Sequence, residues 1–255
     1  MRRVGIEGFP YYLGINSLAD VARSEDRVCV LNILGSESRQ VTPISHAFSG
    51  GNVVFGTSPG RCGQVLETPV GDVPVYSNVR EGLADGHVFD TGVVYLPPSS
   101  VRDGVTELIR VNPDLRKIVV ITEKVAIHDA REIRALGQSN RVDIIGGNCL
   151  GVADSWNRVR IGGALGGDRP GESLLKGSVA IYSNSGGFTT TIAQYLATEG
   201  WGTTTLVSSG KDVYIHFAAL EFAHALKNDW RSKAAVLSDA RLSCWRLPSR
   251  RSPQS

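Results

Sequence analysis

The stretch Ile144-Ile-Gly-Gly-Asn-Cys-Leu-Gly151 decides the fold class, and the shorter stretch Ile121-Thr-Glu123 shows the same pattern upstream. In both, a run of apolar residues changes abruptly into small and polar ones. In parallel α/β sheets, the carboxyl ends of the strands open into a crevice where ligands bind. A third segment, Ser178 to Gly187, shows the same change and leads directly into a helix-like sequence. These segments predict an α/β protein whose strand ends form a binding site.

Short apolar runs alternate with amphipathic segments along most of the chain. The runs predicted to be strands are Val28–Ile33, Asn52–Phe55, Val73–Tyr76, Gly92–Leu96, Lys117–Thr122, Val142–Ile145, Ser178–Tyr182, Thr203–Val207 and Ala234–Leu237. The segments predicted to be helices are residues 38–49, Val79–Asp85, Arg102–Val111, His128–Leu136, a segment from the Gly186-Gly187 turn to about Thr198, and Phe217–Leu226. This alternation predicts parallel sheets with right-handed crossovers.

Composition narrows the class of protein only modestly. The 255 residues suffice for one large or two medium domains, and the net charge of +2 argues neither for nor against a polyanionic partner. The four cysteines are widely separated, which predicts neither a zinc site nor a disulfide framework. The scattered cysteines suit reduced thiols, so we expect a cytoplasmic protein (or a mitochondrial matrix protein, if eukaryotic). We expect neither a metal nor a nucleic-acid partner. We also expect no membrane partner, because no run approaches the roughly 20 apolar residues that span a bilayer.

Two segments of unusual composition suggest boundaries. Six glycines lie between residues 162 and 177, and this glycine-rich stretch predicts a connection between two domains. After Leu237, serine, arginine and proline dominate without any period, so residues 238–255 are predicted to be a disordered tail. The sheet of the second domain is predicted to have only about three of the five strands that such a domain uses, which would leave an open strand edge.

Seven segments resemble, in order and with similar spacing, the motifs of one enzyme family. They are Ile33–Ser36, Phe55–Gly63, Pro74–Gly82, Tyr95–Ser99, Ile121–Lys124, Gly146–Gly151 and Ser183–Gly186. They are similar to motifs in the α subunit of succinyl-CoA synthetase and in the corresponding part of ATP-citrate lyase. The segment Gly146-Gly-Asn-Cys-Leu-Gly151, for example, resembles the family's Gly-Pro-Asn-Cys-Pro-Gly.

This resemblance implies a fold and an activity. The fold is α/β, with a Rossmann-like CoA-binding domain over residues 1–146 and an incomplete flavodoxin-like ligase domain over residues 147–237. The activity is that of an acid–CoA ligase, in which a partner β subunit with an ATP-grasp domain binds ATP or GTP with Mg. The phosphoryl group passes through a histidine to a small carboxylic acid, and the thiol of coenzyme A captures the acyl phosphate. The motifs do not specify which carboxylic acid is used.

The resemblance also implies site residues. Those implied to bind CoA are Gly35, Ser36, Asn52, Pro97, Thr122, Glu123, Asn148 and Cys149, and those implied to form an anion site are Ser183, Ser185 and Gly186. Glycine at the first strand end lets backbone N–H groups approach a phosphate, and a helix N-terminus attracts anions. Asn52 stands where the family has lysine, so a charge is lost unless Arg61 compensates. Cys149 is not expected to act as a nucleophile.

A central motif of the family is missing from the sequence. None of the five histidines lies in the Gly-His-Ala-Gly loop that carries the phosphohistidine, so we predict no catalytic residue. Either the chain is truncated before that loop, or the scaffold serves as a non-catalytic CoA-binding protein in regulation or assembly. A nicotinamide-dependent dehydrogenase is disfavoured, because the first strand is not followed by Gly-x-Gly-x-x-Gly.

Overall fold

The computed structural model describes residue 5, residues 11–212 and residues 216–238, and these form two β-sheets with helices against them. The strands of the first sheet are β1 (Val28–Leu31), β2 (Val53–Thr57), β3 (Val65–Leu66), β4 (Val73–Tyr76), β5 (Thr91–Val94), β6 (Lys117–Val120) and β7 (Asp143–Gly146). The strands of the second sheet are β8 (Gly151–Asp154), β9 (Val159–Ile161), β10 (Lys176–Ser183), β11 (Thr203–Ser208) and β12 (Ala234–Ser238). The helices are α1 (Ser36–Phe48), α2 (Val79–Ala84), α3 (Val101–Val111), α4 (Ile127–Asn140), α5 (Pro170–Ser173), α6 (Gly186–Thr198) and α7 (Ala219–Lys227).

The first sheet has the strand order of a dinucleotide-binding fold. Its order is β3-β4-β2-β1-β5-β6-β7, and every neighbouring pair is parallel except β3 with β4. Without the short β3 this is the Rossmann order 3-2-1-4-5-6. In this order successive strands are first added on one side of β1 and then, from β5 onward, on its other side. All residues of β1, β5 and β6 are buried, because helices cover both faces of a parallel sheet. The predicted Rossmann-like α/β fold is confirmed.

The second sheet combines parallel and antiparallel strands. Its order is β12-β10-β11-β8-β9, with β10 parallel to both β11 and β12. The arrangement β11-β10-β12 is the 2-1-3 start of a flavodoxin-like sheet. The strands β8 and β9 form an antiparallel hairpin that extends the sheet beyond β11. Among the described residues the second sheet has five strands, and the expectation of about three was wrong, because the hairpin was not predicted.

The glycine-rich stretch has a different place from the one predicted. It begins after β9 and ends at β10, and both strands belong to the second sheet. The expectation that it connects two domains was therefore wrong. Its glycines make close turns inside one structural unit, as at Gly166 and Gly167, which both have positive φ.

The N-terminal segment holds the two sheets together. Leu13, Ile15 and Leu18 are buried in a core cluster that includes residues from both sheets. The Leu18 carbonyl accepts a hydrogen bond from the Thr205 hydroxyl in β11 at 3.2 Å. On the other side, Lys117 of β6 donates to the Val21 carbonyl at 2.9 Å. This segment thus contacts β6 of the first sheet and β11 of the second.

A buried ionic cluster, which we call the Arg231 cluster, fastens the segment before β12 to the second sheet. Arg231 forms ion pairs with Asp154 of β8 at 3.0 Å and with Asp229 at 2.8 Å. It also donates from Nη2 to the Thr205 hydroxyl at 3.1 Å. All of these side chains are buried, and burial raises the pKa of Asp154 even though the hydrogen bonds and Arg231 lower it.

Some expectations concern residues that the structure does not describe. Of the predicted tail, only Ser238 is described, at the end of β12, and residues 239–255 lie outside the described residues. Within the described part of the chain, no helix is both long and apolar enough to cross a bilayer. Among the same residues, no three histidine, cysteine or acidic side chains come together as a metal site would require.

Candidate functional site

A cleft lined by residues of the sequence motifs lies outside the carboxyl ends of β5, β6 and β7. Its volume is about 550 Å³, which is in the range of small-molecule sites. The position is the one expected for a Rossmann-like sheet, beside the point where the strand order reverses. The lining residues are Glu37, Tyr95, Leu96, Pro97, Pro98, Ile121, Thr122, Glu123, Lys124, Asn148, Cys149, Leu150, Gly186, Gly187 and Lys211. We call this the strand-end cleft.

The structure brings together six of the eleven predicted site residues. Those that line the strand-end cleft are Pro97, Thr122, Glu123, Asn148, Cys149 and Gly186. Gly35 and Ser36 lie at the start of α1, immediately before the cleft residue Glu37. Ser183 and Ser185 form the turn before Gly186, where the Ser185 N–H donates to the Ser183 hydroxyl at 3.0 Å. Asn52 neither lines the cleft nor adjoins a residue that does. It lines a separate interior cavity.

Thr122 and Cys149 fix the floor of the cleft. The Thr122 hydroxyl donates to the Leu96 carbonyl at 2.6 Å and so ties the end of β6 to the end of β5. The Cys149 thiol is buried and donates to the Val120 carbonyl at 3.2 Å. Burial raises the pKa of Cys149 to about 12, so the sulfur stays a protonated thiol at neutral pH. The thiol therefore has a structural contact and no nucleophilic character.

Asp212 holds three loops of the cleft together, and sequence reasoning did not select it. Its carboxylate accepts from the Asn148 side-chain amide at 3.0 Å and from the backbone N–H groups of Lys124 and Val125 at 3.3 and 3.2 Å. Just before it, Gly210 has φ +102°, and a Cβ there would lie 1.9 Å from the Gly147 carbonyl oxygen. Only glycine permits this approach of the second sheet's loop to the first sheet. The sequence signal that could have identified Asp212 is its position two residues after Gly210, in the turn that follows the strand β11.

Two helices begin at the strand-end cleft without a side-chain cap. The residues before α1 and α6 are Gly35 and Ser185, and neither caps its helix through a side chain. The first N–H groups of a helix lack partners within the helix, and the helix dipole favours an anion there. Gly186 is needed for packing, since a Cβ there would lie 2.2 Å from Leu150 Cγ. Gly187 faces open space, because nothing lies within 4 Å of the position of its Cβ.

Both signs of charge are present around the cleft. Lys124 and Lys211 supply ammonium groups, and Glu37 and Glu123 supply carboxylates. Desolvation, with the Glu123 charge as a second contribution, raises the pKa of Glu37. The two lysines and the uncapped start of α6 suit a phosphorylated ligand. Glu37 lies in the first turn of α1, so it disfavours negative charge at that helix start.

Comparisons with known proteins agree with this geometry. Residues 28–124 match the family model described as the CoA binding domain. Over 217 residues the chain is 29% identical to an ADP-forming sulfoacetate-CoA ligase subunit from Acholeplasma sp, covering 84% of this chain and 68% of that protein. Over 188 residues it is 31% identical to the α subunit of an ADP-forming succinate–CoA ligase from Staphylococcus epidermidis, covering 74% of this chain and 58% of that protein.

A solved structure of the same fold extends the comparison over both sheets. The chain superposes on Methanosaeta concilii ATP citrate lyase, solved in complex with (3S)-citryl-CoA, with a TM-score of 0.74. The match covers 85% of this chain and 36% of that one, at 16% identity, and so it shows a shared fold. The resemblance to succinyl-CoA synthetase α subunits and ATP-citrate lyase, inferred from seven motifs, is confirmed. The chain is α-subunit-like and resembles the CoA-binding part of ADP-forming acid–CoA ligases.

The described histidines lie away from the strand-end cleft. His216 is buried next to Tyr11, Arg134 and Glu221, on the far side of β7, and its backbone N–H donates to the Gly146 carbonyl at 3.1 Å. Burial, reinforced by the Arg134 charge, lowers the pKa of His216 to about 3. The ring is therefore neutral in the folded chain at every physiological pH, as expected for a packing residue.

The burial of His216 predicts a loss of stability in acid. The pKa of His216 is about 3 in the folded chain and about 6.5 in the unfolded chain. Between these two pH values the imidazole is protonated in the unfolded chain and neutral in the folded chain. The contribution of His216 to the free energy of unfolding is therefore fully present above about pH 6.5. Below that pH the free energy of unfolding falls, by about 2 kcal/mol at pH 5 from this group alone. We expect a His216→Gln variant to lose this part of the pH dependence in urea unfolding at pH 7 and pH 5.

The exposed His128 of α4 provides the matched control. Its side chain is 76% exposed, so His128→Gln is expected to leave the pH dependence of unfolding unchanged. If His216→Gln and the parent chain lose equal stability between pH 7 and pH 5, the assignment of the acid sensitivity to His216 is wrong.

Proposed function

We propose that this chain binds coenzyme A in the strand-end cleft and serves as the CoA-binding component of an ADP-forming acid–CoA ligase. One observation carries the proposal: the cleft lies beside the point where the strand order of the Rossmann-like sheet reverses. Its lining residues lie within, or follow, the segment of residues 28–124 that matches the CoA binding domain. The chain spans 58% of the succinate–CoA ligase α subunit that it resembles, so the activity of the whole assembly is part of the proposal.

The residues of the cleft fit the chemistry of CoA. Its phosphate groups would meet the uncapped N-terminus of α6 and the ammonium groups of Lys124 and Lys211, which compensate negative charge. Leu96, Pro97 and Pro98 offer an apolar wall for the uncharged parts of the molecule. Thr122 and Asp212 act by positioning, because their hydrogen bonds fix the loops that carry the lining residues.

We assign the remaining steps of the reaction to groups outside the described residues. In such a ligase, a β subunit with an ATP-grasp domain binds ATP or GTP with Mg, and a histidine carries the phosphoryl group to a small carboxylic acid. None of the histidines in the described part of the chain lines the cleft, so the phosphoryl carrier is proposed to come from elsewhere in the assembly. The role of this chain is to hold CoA with its thiol accessible to the acyl phosphate.

Calorimetric titration with CoA and with NAD tests the proposal. We expect saturable heat with CoA and none with NAD, because the turn after β1 lacks the dinucleotide fingerprint Gly-x-Gly-x-x-Gly. Binding of NAD in place of CoA would overturn the assignment. A second arm adds a competent β subunit, ATP and candidate acids, and thioester formation there separates a ligase component from a protein that only binds CoA.

A further inference from the structure

Arg160 of β9 is a buried cation with an incomplete set of partners. The residue is 1% exposed. Its Nε donates to the Ser45 hydroxyl at 2.8 Å, and its Nη1 donates to the carbonyls of Leu165 and Gly167 at 2.9 and 2.7 Å. The Nη2 atom has no hydrogen-bond partner among the described residues. A buried donor without a partner costs free energy, and it costs more when it carries charge.

The charge of Arg160 also lacks a direct counterion. Among the described residues, no carboxylate oxygen lies within 4 Å of its guanidinium, and Asp168 acts on it only at longer range. Burial lowers the pKa of Arg160 to about 10, so the side chain is still positively charged at neutral pH. A buried charge of this kind is normally paired or bound to an ion of opposite sign.

Two further side chains with unpartnered polar atoms line a cavity together with Arg160. Asn52, just before β2, and Tyr95, just after β5, line one small interior cavity together with Arg160. The Asn52 amide and the Tyr95 hydroxyl are both buried without a hydrogen-bond partner in the described structure. The cavity has room for about one water-sized atom. Its other walls are mostly aliphatic, including Val28 and Val93.

We propose that this cavity binds a single small monovalent anion of the halide class. The guanidinium Nη2, the Asn52 amide and the Tyr95 hydroxyl would each donate a hydrogen bond to it. A water molecule would satisfy the donors but would leave the buried charge of Arg160 uncompensated, and an anion does both. Asn52 and Tyr95 flank strands of the first sheet, and Arg160 lies in the second sheet, so the ion would join the two halves of the chain.

The site also bears on the strand-end cleft, because Tyr95 lines both spaces. Its hydroxyl is buried without a hydrogen-bond partner in the described structure. Binding of an anion in the cavity would therefore restrict the movement of Tyr95, which also lines the proposed CoA site. The inference does not depend on what the cleft binds, since it rests on the three side chains of the cavity.

Bromide identifies the ion directly. Crystals of the full chain grown in sodium bromide are expected to show an anomalous peak in the cavity, within hydrogen-bond distance of Arg160 Nη2. In thermal unfolding at constant ionic strength, replacing sodium gluconate by sodium bromide is expected to raise the Tm by about 4–8 °C at a concentration about 100 times Kd. Density without anomalous signal, or equal Tm values in the two salts, would mean that the cavity holds only water.

Two variants separate the ion from general salt effects. Arg160→Met is expected to remove the bromide-dependent rise in Tm, because the cation is gone. If that variant does not fold, Asn52→Asp keeps Arg160 and places a carboxylate where the anion is proposed to lie. We expect Asn52→Asp to raise the Tm in gluconate and to be insensitive to bromide, whereas a bromide response equal to that of the parent chain would contradict the site.

Discussion

A Gly187→Glu variant is expected to raise the Kd for CoA by about 10- to 100-fold while the chain stays folded. Gly187 is the second residue of α6, and nothing lies within 4 Å of the position of its Cβ, so a larger side chain has room in the strand-end cleft. There the carboxylate would occupy space needed by the ligand and would neutralise the positive end of the helix dipole. The loss corresponds to about 1.4–2.8 kcal/mol of binding free energy.

Gly187→Ala is the matched control for this experiment. It changes the same backbone position by one methyl group that meets no neighbour, so the affinity for CoA is expected to stay within about twofold of the parent value. An acidic residue in the first turn of a helix is favourable, and the Tm of Gly187→Glu should therefore not fall. Unchanged CoA affinity in Gly187→Glu would place the ligand outside this end of the cleft.

An Arg231→Met variant is expected to lose about 3–5 kcal/mol of unfolding free energy at pH 7. The substitution keeps much of the volume of the side chain but leaves Asp154 and Asp229 buried without their cation. Breaking a buried ion pair from one side is costly because the remaining charge stays desolvated. Urea unfolding of the parent chain and the variant measures the difference.

The pH dependence distinguishes lost charge pairing from lost packing. Burial already raises the pKa of Asp154, and without Arg231 this pKa should rise further. The deficit of Arg231→Met should therefore shrink between pH 7 and pH 5, as the Asp154 carboxylate takes up a proton. Arg169→Met removes an exposed ion pair with Glu172 and should change stability little. A deficit that is equal at both pH values would indicate a packing defect.

The first sheet could be predicted from sequence because its strands are strongly marked. Runs such as Val28–Leu31 and Lys117–Val120 are β-branched and buried on both faces, and the predicted positions agree with the structure within a few residues. The hairpin of β8 and β9 was missed because its strands have only four and three residues. Its turn is stabilised by the Asp154 side chain, which accepts from two backbone N–H groups, and such local contacts leave little periodicity to detect.

The candidate site was predictable where it depends on strand ends and not where it depends on tertiary contacts. Thr122, Asn148 and Cys149 follow strands directly, so the topology alone brings them to one edge of the sheet. Asp212 reaches the same edge only because a loop of the second sheet folds over it. Asn52 precedes a strand, and its sequence position could not reveal that it lines an interior cavity together with Arg160.

The N-terminal segment has a consequence for how such a protein can evolve. Leu18 packs against β11 and Val21 accepts a hydrogen bond from Lys117, so residues far apart in the chain share one interior. A recombination event that exchanged the sequence after Gly146 for that of a distant relative would replace the surface on which Leu18 rests. Gene fusion and fission, which keep both halves but change their linkage, preserve this interior. We therefore expect the two halves to have been inherited together and to vary in a correlated way.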